Sequence, residues 1–125
     1  MFFKGKERRL NKRHVVCWDA ILEVNFPDFQ AQIQVKVVNF SIGGALLHSE
    51  QLSVDNRHLV ISDINPELKL KIFLPETVLE SRIEVQWYNV LPGKNIFEIG
   101  VNFINFLEEI HISVDELIKI IEESN

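Results

Sequence analysis

Apolar residues recur at every second position through most of this chain, and that period decides what it can become. In CWDAILEVNF (17–26), Trp18, Ala20, Leu22, Val24 and Phe26 share one side, Asp19, Glu23 and Asn25 the other, and Ile21 is the exception. Successive side chains of extended backbone point to opposite sides, so this alternation predicts a strand with one face in a core and one in water. AQIQVKVVNF (31–40) repeats it, with Ile33, Val35 and Val37 inward and Gln32, Gln34 and Lys36 outward. ELKLKIFL (67–74) aligns Leu68, Leu70, Ile72 and Leu74. ESRIEVQWYNV (80–90) aligns Ile83, Val85 and Trp87, and IFEIGVNFINF (96–106) aligns Phe97, Ile99, Val101 and Phe103. ALLHS (45–49) and RHLVIS (57–62) are shorter candidates, and PDFQ, SIGG, DINP and LPGKN carry turn chemistry between the runs. Six or seven strands at this spacing predict a mainly β protein, an antiparallel Greek-key-like barrel.

The period changes only at the end. In SVDELIKIIEESN (113–125), Ser113 and Glu116 have capping-box spacing, and Val114, Leu117, Ile118 and Ile121 recur as on a helix. A C-terminal helix of about two to three turns should therefore lie on the barrel.

The 125 residues suit one domain with a core of its own. The charge is unevenly spread: the net value is −5, yet residues 1–14 hold six of the thirteen basic side chains (Lys4, Lys6, Arg8, Arg9, Lys12, Arg13) against Glu7 alone. That leaves a basic arm, 1–14, joined to an acidic barrel domain, 15–125. An acidic body is a poor match for duplex DNA, RNA or an anionic membrane, so an anion bound here should be small and met locally. Cys17 is the only cysteine, which excludes an internal disulfide and a thiolate zinc site. With no secretory leader and no apolar run of about 20 residues, the chain reads as cytoplasmic, without membrane insertion.

Two features carry chemistry. Arg9 and Arg13 are four apart, with Arg8 just before, and guanidinium forks suit bidentate bonding to phosphate or to the O6/N7 edge of guanine. In NFSIGG (39–44), Asn39 and Ser41 offer an amide and a hydroxyl on the same side of an extended chain, and the glycines permit close backbone approach. Taken singly, the first is also what a solvated tail looks like, and the second a plain hairpin turn.

In this order, R-x-x-x-R, then N-x-S-x-x-G one hairpin later, then a barrel closed by a helix, the chain resembles the PilZ domain family of bacterial cyclic di-GMP receptors. The resemblance runs from ERRLNKR through VVNFSIGGALL and LKLKIFLP to VQWYNVLPGKNIFEIGVNF. It implies that Arg9 and Arg13 grip phosphate and the Hoogsteen edge of guanine. Asn39 and Ser41 would surround a guanine, and Gly44 would stand where a side chain would intrude on the ligand. Arg8 holds the position whose arginine goes, in the family, with an intercalated pair of ligand molecules. Asn39 is an allowed variant that cannot ionise, so a charge-assisted contact is given up and affinity is tuned.

The expected function is thus a single-domain, non-enzymatic second-messenger receptor for cyclic di-GMP. Its mobile arm orders over the ligand and signals to a downstream protein partner, with no cofactor and no metal. The alternative is an adaptor of the same fold that binds no nucleotide. His14, His48, His58 and His111 have no ligand spacing, Ser41 has no visible base, and the paired carboxylates Glu108–Glu109 and Glu122–Glu123 read as solvated faces. Cys17 reads as packing. Trp87 and Tyr88 lie on opposite faces of one strand, one for the core and one free to stack on a base. Phe2 and Phe3 are apolar residues on a polar arm.

Overall fold

The computed structural model describes residues 11–61, 64–110 and 112–123. The alternating segments form β1 (His14–Asn25), β2 (Gln30–Ser41), β3 (Gly44–Ser49), β6 (Glu67–Phe73), β7 (Val78–Val90) and β8 (Phe97–Ile104). Two short strands, β4 (Ser53–Val54) and β5 (Arg57–His58), intervene between β3 and β6. Helix α1 (Phe106–Glu109) and helix α2 (Val114–Glu123) follow.

Six strands close into a barrel in the order β1-β2-β3-β8-β7-β6, every pairing antiparallel. β1, β2 and β3 are consecutive hairpins, and β6 returns to lie beside β1. That placement of the fourth strand is the Greek-key arrangement. Closure leaves each barrel strand with two neighbours, so the inward row of every strand meets one core. Val24, Leu22, Ile33, Val37, Leu47, Leu70, Ile72, Leu79 and Ile99 are buried there, as the alternation in the sequence requires.

One end of the barrel is sealed by aromatic rings. Phe40, fully buried, meets Trp18 (centroids 5.2 Å apart), Phe103 (5.6 Å) and Phe106 (5.5 Å). Phe106 enters from α1, a four-residue helix that the sequence pattern gave no means of foreseeing. Helix α2 buries Leu117, Ile118 and Ile121, and Ser113 caps it by accepting the Glu116 amide at 3.1 Å. Both observations match the expected helix.

The opposite end is held by a latch. RHLVIS, read as a strand, is one only at Arg57–His58, where it pairs with Ser53–Val54 across a tight turn with Asp55 and Asn56 at positive φ. The Arg57 guanidinium forks onto the Asp28 carboxylate with two bonds of 2.6 Å. It also lies over the rings of Phe26 and Phe29, 5.1 and 4.9 Å from their centroids. A planar cation suits both roles at once. Beyond β5 the backbone turns away because His58 Nδ1 accepts the amides of Val60 and Ile61 at 3.0 and 2.9 Å, which leaves no extended run to pair.

Two further expectations change. Cys17 is exposed on β1 rather than packed. Trp87 is 48% exposed, whereas Tyr88 turns toward the core and packs on His58 at 5.2 Å. The register between β7 and β8 shifts between Val85 and Trp87, so Gln86 is an extra residue and the inward series runs Ile83, Val85, Tyr88. A bulge of this kind moves every later side chain to the other face.

Candidate functional site

The described motif residues meet at the aromatic-sealed end of the barrel. Arg13 is exposed and directly precedes His14, the first paired residue of β1, which stands opposite Phe40. Asn39 stands opposite Val15 on one side and Leu46 on the other, and Ser41 opposite Gly44. The structure therefore brings Arg13, Asn39, Ser41 and Gly44 to one corner. Arg8 and Arg9, with the rest of 1–10, lie outside the described residues.

How Asn39 comes to face outward is a matter of register. Carrying period two onward from Val37 would turn Asn39 into the core. The β2–β3 ladder shifts between Val37 and Asn39, so Val38 is an extra residue, and Phe40 becomes the buried one. Asn39 and Ser41 then flank it on the outer side, half-buried. The β1–β2 ladder shifts at the same level, between Val15 and Trp18.

Following the pairings across the barrel gives one continuous outer row: Val15, Asn39, Leu46, Gly100, Trp87. At about 4.8 Å per strand it is roughly 19 Å wide. All three register shifts among the barrel ladders border this row. Bulges concentrate where a side chain must be re-aimed, and here they aim an amide and an indole onto the same strip of surface. Val15 is 75% exposed, and Trp87 lies across Gly100, where any Cβ would clash with the indole ring. The row therefore joins apolar surface to one polar group, a combination suited to the face and edge of a heteroaromatic base.

The polar group is incomplete. Asn39 Oδ1 is buried and, among the described residues, has no hydrogen-bond partner. A buried amide oxygen without a donor costs about 1–3 kcal/mol, so a donor that reached it would recover that cost. Beside it, the Ser41 hydroxyl reaches the Gly44 carbonyl only at 3.5 Å, the outer limit of a hydrogen bond, and is available to another partner.

Gly44 is required by the barrel itself. A Cβ there would run into the carbonyl oxygen of Val101 on β8, and the neighbouring Gly43 carbonyl accepts the Phe103 amide at 2.9 Å. The hairpin that carries Asn39 and Ser41 is thus pulled tight against β8.

Away from this corner the charges pair with each other. Lys36 pairs with Asp19, His48 with Glu98 at 3.2 Å, and Lys71 with Glu23 and Glu80 at 3.6 and 3.2 Å. Asp19 and Glu80 raise the Lys36 and Lys71 ammonium groups above their ordinary range, chiefly through hydrogen bonds. A concave strip of about 600 Å³ lies over Asp19, Gln34, Lys36, His48 and Phe73. Asp19, Lys36 and His48 there already have partners, so Asn39 remains the more telling site. Among the described residues, no three His, Cys, Asp or Glu side chains come together to hold a metal, and no helix is long and apolar enough to cross a membrane.

Sequence reasoning missed Leu46 and Gly100, which look like ordinary strand residues until the register is known. No family model and no curated protein matches the chain. Among solved structures it resembles the PilZ domain of YcgR from Escherichia coli with c-di-GMP, at 12% identity and a TM-score of 0.58, over 90% of this chain and 88% of that one. The chain has the fold of a PilZ domain.

Proposed function

We propose that this protein is a PilZ-type receptor for cyclic di-GMP, and that it acts by binding rather than by catalysis. The observation that carries the reading is the Asn39 oxygen in the outer row, buried and unpartnered among the described residues, beside Ser41 and the root of a basic arm. The likeness in fold to a PilZ domain solved with c-di-GMP supports it.

In this reading Arg9 and Arg13 take phosphate and the Hoogsteen edge of guanine, Asn39 and Ser41 take another edge, and Trp87 offers a ring for a base to stack on. Arg8 brings a third fork, enough cation for an intercalated pair of ligands with four phosphate charges. The arm ahead of β1 orders over the ligand, and its new surface is what a partner protein in the cytoplasm meets.

The test is calorimetric titration of the full chain with cyclic di-GMP, with GTP as control. Selective binding at micromolar concentration or tighter is expected, with two ligands per chain. Arg9→Ala and Arg13→Ala should each lose roughly tenfold to a hundredfold in affinity, the value of one bidentate guanine contact, with unaltered circular dichroism. A well-folded chain that takes up no nucleotide would overturn the reading and leave the adaptor of the same fold.

A further inference from the structure

Cyclic dinucleotides differ in their bases, and the group that reads a base decides which are admitted. Asn39 occupies that place in the outer row, with apolar Val15 and Leu46 as its cross-strand neighbours. Among the described residues neither end of its amide is held by a side-chain hydrogen bond, and Oδ1 is buried. Nothing on those flanks fixes which way the amide faces.

An ionised carboxylate is acceptor-only, whereas an amide presents one acceptor and two N–H donors. Two adjacent acceptors match the N1–H and N2–H donors of guanine. Against adenine they fail, because one oxygen meets the N6 amino group and the other meets the lone pair of a ring nitrogen. An amide matches both bases. Its oxygen and N–H fit the N1–H and O6 of guanine, and after a flip they fit the N6–H and N1 of adenine on the same edge, one acceptor and one donor in each case. Ser41 adds no discrimination, since a hydroxyl donates or accepts by rotating and its bond to the Gly44 carbonyl is long, at 3.5 Å.

We infer that Asn39 sets the base preference of this site and that, as an amide, it admits mixed guanine–adenine cyclic dinucleotides beside cyclic di-GMP. The inference rests on the site being one for cyclic dinucleotides, and its test separates the two. Wild-type chain and Asn39→Asp are titrated by calorimetry with cyclic di-GMP, 3′,3′-cyclic GMP–AMP and cyclic di-AMP, with circular dichroism of both chains. For the wild type, the mixed ligand should bind within about fivefold of cyclic di-GMP, because it keeps one guanine and the amide fits either base. In Asn39→Asp the same ratio should widen to roughly tenfold to a hundredfold. If the wild type already favours cyclic di-GMP by more than about thirtyfold, the inference is overturned while the receptor reading stands, and this holds even if the aspartate variant does not fold. A ratio equal in the two chains also overturns it. Absence of binding by all three ligands overturns the receptor reading and the inference with it.

Discussion

At position 44 two demands coincide. The resemblance assigns Gly44 to the ligand, yet a Cβ there would clash with the barrel's own Val101 carbonyl oxygen. Gly44→Ala should therefore destabilise the free protein by about 1–3 kcal/mol, the range for overpacking against atoms that cannot yield. Chemical denaturation without nucleotide checks this; an unchanged midpoint would return the glycine to the ligand alone. Single residues were legible where a motif names them, as with Arg13, Asn39, Ser41 and Gly44, which the fold gathers at one corner. Leu46 and Gly100 were not, since neither has distinctive chemistry and their place depends on which strands pair.

Among the elements, strand existence followed directly from the alternation, because a half-buried strand leaves a parity that no loop needs. Parity is also what the bulges disturb. Period two put Trp87 with Ile83 and Val85, and the extra Gln86 gave the core position to Tyr88. Nothing in QWY announces the insertion, since either aromatic suits either face. The β4–β5 element was misread for a different reason: its anchor is tertiary, the fork of Arg57 onto Asp28. Asp28 is held below its ordinary carboxylate value, first by the hydrogen bond from Arg57. A depressed folded value means stability that is present above the unfolded value, about 4, and is lost as pH falls through the folded one. The wild type should thus melt above Asp28→Asn at pH 7, by a small margin for so exposed a pair, and the gap should close in acid below about pH 4. A gap that is unchanged down to pH 2 would count against the latch.

For the molecule as a whole, hairpin neighbours could be read from turn spacing, but the return of β6 to β1 could not, because no local signal marks a partner some forty residues away. Closure has a thermodynamic consequence. A ligand that binds only the folded chain stabilises it by about 2.7 kcal/mol at a hundred times its dissociation constant. Melting temperature should therefore climb with cyclic di-GMP concentration, and Arg13→Ala should shift the climb to roughly tenfold to a hundredfold higher ligand. A melting curve that is indifferent to ligand at millimolar levels would refute receptor behaviour.

The two tryptophans sit in opposite surroundings. Trp18 is 6% exposed among the sealing rings, and Trp87 is 48% exposed on Gly100 in the outer row. The two indoles should therefore emit at different wavelengths, Trp18 the bluer and reporting the integrity of the barrel, Trp87 the redder, open to iodide quenching and reporting on the row. Occupancy and unfolding could be followed separately in one cuvette, on the unlabelled protein.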